Sequence, residues 1–151
     1  IEQMDVTPGA KTLITELHQR GYKVGLVSGG FHEVIDPIAR SLGIDLVRAN
    51  RLQTFDGRLT GKVLGEIVTP ERKKDNLLTW ARENHIPRSQ TIAMGDGAND
   101  LPMIETAGIG IAFMAKPIVA ERAPYRIETS DLSLVLEILD QHRKETACIS
   151  Y

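Results

Sequence analysis

The chain has 151 residues, 42% hydrophobic and 25% charged, with a formal net charge of −2, which bounds it to one compact domain with a sizeable core and excludes a disordered or repetitive chain. Its basic residues are scattered rather than clustered, so no footprint for nucleic acid or an anionic membrane surface exists, and a small ligand is the expected partner. A single cysteine, Cys148, precludes an internal disulfide, and no apolar run approaches the roughly 18 residues of a membrane span or the pattern of a signal peptide, so the cytoplasm is the expected location.

Thr7-Pro8 has the form of an N-cap followed by a first-turn proline, and Ala10, Leu13, Ile14 and Leu17 recur at helical spacing until Gly21. Tyr22 to Val27 is a short apolar run that ends in Ser28-Gly29-Gly30. Val34, Ile35, Ile38, Ala39 and Leu42 then mark a second helix closed by Gly43, with Pro37 predicting a kink or a late start. Leu46 to Thr54 and Arg58 to Leu64 flank Asp56-Gly57, a strong hairpin signal. Thr69-Pro70 repeats the cap-then-proline start for a helix to about Asn84 with Leu77, Leu78 and Ala81 on its apolar side. Thr91 to Met94 reads as a buried strand, Asp100 to Ala107 as a short helix, Ile109 to Phe113 as another strand, and Pro117 to Ala123 as a helical turn or two. Arg126 to Glu128 reads as a last short strand backed by a helix from Leu132 to Leu139. Strands alternating with helices through short loops predict an α/β fold. Its parallel sheet is covered on both faces, and its ligand site lies beyond the strand C-termini, where the glycine-rich ends at Ser28 and Gly95 fall.

Three features carry chemistry. Ser28-Gly29-Gly30 at a strand-to-helix junction offers close backbone approach, unpaired helix-start N–H groups and a hydroxyl, the makings of a phosphate seat; read alone, the same residues also describe a tight turn with a serine cap. Gly95-Asp96-Gly97-Ala98-Asn99-Asp100 sets two carboxylates four residues apart on a glycine-rich turn. That suits Mg²⁺ held by few carboxylates together with phosphate and water; Asp96 is the preferred direct ligand, and Asp100, followed by Pro102, would also serve as a helix cap. Lys73, with Lys74 beside it, provides a compact charge able to neutralise a phosphate and its attacking group, although a lone helical lysine is ordinarily solvated. His18, His32, His85 and His142 lack metal-ligand spacing and read as surface or helix-end residues.

Taken in order, these three features resemble motifs two, three and four of the haloacid dehalogenase-like (HAD) phosphatases, from about Thr7 to Leu139, with the tail 141–151 outside. Val-Ser-Gly-Gly-Phe, Ala-Asn-Arg-Leu, Asp-Gly-Arg-Leu-Thr-Gly, Gly-Asp-Gly-Ala-Asn-Asp-Leu-Pro-Met and Ala-Lys-Pro are similar, within that superfamily, to the bacterial phosphoserine phosphatase family. The resemblance implies a HAD-like Rossmannoid sheet with a β-hairpin insertion and Mg²⁺-dependent hydrolysis of O-phospho-L-serine through an aspartyl-phosphate. By it, Ser28, Gly29 and Gly30 hold the phosphoryl group, Lys73 neutralises it, Asp96 binds Mg²⁺, Asp100 orients the metal's waters, and Asn99 touches phosphate or substrate. Its spacing from Gly65-Glu66 selects Lys73 over Lys74.

In the family, the attacking aspartate lies in an Asp-x-Asp-x-Thr motif on the first strand, and no Asp-x-Asp occurs in this sequence. The resemblance therefore implies a partial core over 1–151, without the central first strand and the cap domain. Two half-sheets with open inner edges are expected, along with no turnover unless a further segment or a partner chain supplies the strand. The phosphorylation domain of a cation-pumping ATPase has a similar fourth motif but requires Thr-Gly-Asp where this chain has Ser28-Gly29-Gly30. A phosphotransferase or another small-molecule phosphatase would use the same site, and a non-catalytic module binding Mg²⁺ and a phosphate compound is the reading from a different class.

Overall fold

The computed structural model describes residues 8–56, 58–64 and 68–149. Thr7, Gly57, Gly65-Glu66 and the Cys148 side chain, each of which carried an expectation, lie outside what is described.

Helix α1 (Ala10–Gln19) starts two residues later than Pro8, because Gly9 at its N-cap takes the left-handed φ of 85° and leaves Pro8 outside the helix. The Pro8 carbonyl instead accepts from Leu132 N–H at 2.8 Å. Strand β1 (Gly25–Phe31) includes Ser28-Gly29-Gly30, and α2 (His32–Leu42) begins at the next residue. Pro37 sits inside α2 without delaying its start, and Gly43 closes it at φ 78°. Strands β2 (Leu46–Phe55) and β3 (Arg58–Leu64) form the expected antiparallel hairpin, with Asp56 at φ 53° in the left-handed region that a tight hairpin turn requires. Helix α3 (Pro70–Glu83) carries its cap as read from sequence, Arg72 N–H donating to Thr69 Oγ1 at 3.2 Å.

In the second half, β4 (Ile92–Gly95) leads through a 3₁₀ turn, Ala98–Asp100, into α4 (Leu101–Thr106). Then follow β5 (Ile109–Phe113), α5 (Pro117–Arg122), β6 (Tyr125–Ile127) and α6 (Leu134–Ile149), the last reaching ten residues beyond Leu139.

The strands make two three-stranded sheets, β1-β2-β3 and β4-β5-β6. In the first, β1 and β2 are parallel; in the second all neighbours are parallel. Both buried apolar clusters lie on the second sheet. Leu13 and Leu17 of α1 join Ile109, Ile111, Ile127, Val135, Ile138 and Leu139 on one face, and Ala93, Leu101, Ile104, Ala107, Ala112 and Val119 fill the other. Helix α1 thus packs on the second sheet although it precedes the first in sequence. Helix α3 packs against both α4 and β1 and joins the halves.

At the far end of β1 from the glycines, Asp45 accepts from Val24 N–H and pairs with His18 Nε2, both at 2.8 Å, latching the end of α1 to the start of β2. Partial burial pushes the Asp45 carboxyl up. The Val24 and His18 hydrogen bonds and the His18 and Lys23 charges outweigh that and leave it below its ordinary value.

Candidate active site

Among the described residues, neither β1 nor β4 has a strand on its other edge. Between these edges lies an open cleft of about 470 Å³, walled mainly by apolar side chains including Leu26, Val27, Leu77, Trp80, Ile92 and Met94. At its chemical end stand Ser28, Gly29, Lys73, Asp96 and Asp100. The sequence-predicted residues therefore converge, apart from Gly30 and Asn99, which are outside the cleft lining.

Asp100 is the centre of the cluster. Its Oδ1 accepts from Lys73 Nζ at 2.6 Å, and both side chains are 9% exposed. Its Oδ2 accepts from the N–H groups of Asp96 and Gly97 at 3.2 and 3.3 Å. The carboxylate thus folds back over its own turn, which needs Gly95: a Cβ there would overlap the Asp100 side chain. Burial of a lysine and an aspartate together requires this mutual satisfaction, because either alone would be an uncompensated charge. Lys74 is only half-buried, so the two neighbouring lysines have different environments.

The carboxylate of Asp96 is exposed and makes no hydrogen bond or ion pair among the described residues, while its backbone carbonyl accepts from Lys116 N–H at 3.3 Å. No group of three or more His, Cys, Asp or Glu gathers among the described residues. The donor set fits Mg²⁺, which binds through one or two carboxylates and retains several waters.

The backbone at Ser28-Gly29-Gly30, read from sequence as a phosphate seat or else a tight turn, forms a bulge within β1. Val27 pairs with Arg48 and Phe31 with Asn50, so Ser28, Gly29 and Gly30 face Ala49 alone and bulge out of the ladder. Ser28 Oγ accepts from Gly30 N–H at 3.0 Å, which leaves its O–H to donate outward. A Cβ on Gly29 would meet nothing within 4 Å, so the bulge opens onto free space.

Two residues to which sequence reasoning gave no role in the site support this bulge. His32, read as a surface or helix-end residue, opens α2 but is 8% exposed. Its Nε2 accepts from Ala49 N–H at 3.1 Å, so Nδ1 carries the proton and donates to Asp36 at 2.7 Å. Asn50 is 6% exposed and donates from Nδ2 to the Gly29 carbonyl at 2.9 Å while accepting Val68 N–H on Oδ1 at 2.8 Å. A buried histidine at a helix start and an asparagine in a strand have weak signatures; Ala-Asn-Arg-Leu was legible only as part of a family pattern. His18, His85 and His142 are not part of the cleft lining.

The profile of the haloacid dehalogenase-like hydrolases matches residues 1–105. A phosphoserine phosphatase of Streptococcus thermophilus is 65% identical over 88% of the chain, and one of Lactococcus lactis is 54% identical over 93%; the chain spans only 62% and 65% of their respective lengths. Among solved structures, a probable phosphoserine phosphatase of Vibrio cholerae superposes with a TM-score of 0.87 at 40% identity, covering 92% of this chain and 43% of that one. A phospho-aspartyl intermediate analogue of a phosphoserine phosphatase superposes with a TM-score of 0.82 at 45% identity, covering 87% and 63%. With its Ser28 bulge, buried Lys73 and Asp96–Asp100 turn on one cleft, the chain belongs to the haloacid dehalogenase-like hydrolase family.

Proposed function

We propose that this chain is the phosphate-handling part of a phosphoserine phosphatase, completed by a strand that enters the cleft between β1 and β4 and brings the attacking carboxylate. The observation that carries the reading is Asp100, which holds Lys73 on one oxygen and the Asp96 turn on the other, beside Ser28. A strand slot is supported by two unpaired parallel-sheet edges facing an apolar cleft.

In this reading, the Ser28 hydroxyl and the Gly29 backbone hold the phosphoryl oxygens, with Gly30 fixing the Ser28 hydroxyl, and Lys73 offsets the charge that builds as phosphorus changes partner. Asp96 would hold Mg²⁺, which when bound would neutralise charge on the phosphoryl group. Asp100 has only the second lone pair of Oδ1 left for the metal's waters, so its main work is to fix Lys73 and the turn. Asn99 is exposed on the turn between Asp96 and Asp100, suited to contact a substrate once the cleft is filled. The first carboxylate of the incoming Asp-x-Asp-x-Thr strand attacks phosphorus as the bond to the serine oxygen breaks, the second gives that oxygen its proton, and the same group then takes a proton from the water that cleaves the aspartyl-phosphate and releases phosphate; the phospho-aspartyl intermediate analogue of a relative supports that order.

No helix among the described residues is long and apolar enough to cross a membrane. The test is phosphate release by the complete protein with Mg²⁺. O-phospho-L-serine should be hydrolysed well ahead of phosphothreonine and an aryl phosphate, and equal rates on all three would contradict the assigned substrate.

A further inference from the structure

The bulge at Ser28–Gly30 lacks the ladder bonds that would fix its peptide planes, and two successive glycines make that backbone soft. The peptide joining Gly29 to Gly30 is nevertheless held at both ends. Its N–H donates to Ser28 Oγ, and its carbonyl accepts from Asn50 Nδ2. The other half of the same buried amide accepts Val68 N–H, one residue before the Thr69 cap of α3, the helix that carries Lys73 one turn later. Both ends of the Asn50 amide are matched to partners of the right kind, which fixes its orientation. Next to it, His32 holds Ala49 N–H, the group that faces the bulge and has lost its ladder partner.

We propose that Asn50 is a positioning residue, which sets the phosphate-facing bulge of β1 against the lysine helix α3 through the two ends of one amide. It touches no reacting atom. Its donor orients the Gly29 carbonyl, and hence the Ser28 hydroxyl and Gly29 N–H on the open side. Its acceptor sets where α3 begins, and hence how far Lys73 reaches. No other standard side chain of this size offers a donor and an acceptor at these two points, and the role would be invisible in any list of groups that contact phosphate.

This proposal rests on the phosphatase reading, and its test separates the two. In the complete enzyme, Asn50→Ala should lower kcat per folded molecule about 10- to 100-fold, the range for misplacing catalytic groups from a distance, with kcat falling further than KM rises. Asn50→Asp keeps the acceptor for Val68 but loses the donor to Gly29 at neutral pH. Its kcat, relative to the unsubstituted enzyme at each pH, should recover as the pH falls and the protonated carboxyl donates again. A residue with a merely structural role would change the melting temperature and leave that ratio flat. Should Asn50→Ala fail to fold, Asn50→Asp alone carries the test. A folded Asn50→Ala enzyme with kcat within twofold of the parent, or a flat ratio for Asn50→Asp, overturns the proposal. If the parent releases no phosphate from any ester, the phosphatase reading fails. Inorganic phosphate titrations followed at the Gly29, Gly30 and Val68 amides then decide: severalfold weaker binding in Asn50→Asp upholds the positioning role, and equal binding overturns it.

Discussion

The two sheets of this protein are built from similar short strands but bury them very differently. In β5, which has a neighbour on each edge and helices on both faces, Ile111 and Ala112 are 0% and 1% exposed. In β1, no residue from Gly25 to Phe31 is fully buried, even though Leu26 and Val27 are as apolar as their counterparts. The contrast follows from edges rather than composition: among the described residues, β1 and β4 each have one partner and an open side facing the same cleft. Both apolar clusters therefore gather on the second sheet, and the first depends on α2, α3 and side-chain bonds from His32, Asn50 and Asp45. Among the described residues, one half is a core and the other a half-buried wall of the cleft.

The largest expected effect is at Lys73, on the helix that spans the two halves. In the complete enzyme Lys73→Ala should cost about 10²- to 10³-fold in turnover, as for loss of one transition-state electrostatic group. It should also destabilise the fold by about 3–5 kcal/mol by leaving Asp100 buried without its partner. Lys74→Ala should change little in either. Similar losses for both, read from steady-state rates and melting curves, would break the assignment.

Burial can be compared directly by truncation. Ile111→Ala should cost about 2–5 kcal/mol in this chain, as for a sealed core position. Leu26→Ala on the half-buried β1 should cost about 1 kcal/mol or less, because little apolar area is withdrawn from water there. Once the cleft is filled, the Leu26→Ala penalty should rise toward that of Ile111→Ala. Denaturant midpoints of both variants, with and without the completing strand, test this, and a Leu26 cost indifferent to the strand would count against the cleft as a strand slot.

A smaller effect is expected at Asp96. With its carboxylate exposed and unshared, Asp96→Asn should weaken Mg²⁺ binding about tenfold in calorimetry while leaving the melting temperature nearly unchanged. Unaltered affinity would move the metal elsewhere. The smallest effect concerns the Asp45 latch. A carboxyl held below its ordinary value stabilises the fold above the unfolded-state pKa, and that contribution is lost as pH falls through the folded-state value. The parent should therefore lose a modest increment of stability below about pH 4 that Asp45→Asn already lacks at neutral pH, so their melting temperatures should converge on acidification. A constant gap would contradict it.

Elements signalled by local chemistry were legible in the sequence. Thr69-Pro70 began α3, Gly43 ended α2, and Ile109–Phe113 formed β5 at the predicted bounds. The convergence of Ser28, Lys73, Asp96 and Asp100 on one cleft was also foreseen, through a family pattern more than through the residues alone. What escaped depends on partners distant in the chain. The bulge at Ser28–Gly30 exists because β2 pairs out of step, a register no local window contains. Asn50 bonds to Gly29 and Val68, 21 and 18 residues away, and His32 to Ala49, 17 away. The α1 start was misplaced because Gly9 overrode the proline signal with a left-handed turn tied to Leu132.

The central claim is that the cleft between β1 and β4 is a phosphoryl-transfer site whose attacking carboxylate must arrive on an added strand. The most direct measurement is phosphate release from O-phospho-L-serine with Mg²⁺ by this chain alone, by the chain mixed with a segment carrying the family's Asp-x-Asp-x-Thr strand, and by the chain mixed with the same segment bearing asparagine at its first aspartate. The account predicts no release, release, and binding of the segment without release, respectively. Hydrolysis above background by the purified chain alone, with contaminating phosphatase excluded, would contradict it, since a residue already on the cleft would then have to attack phosphorus.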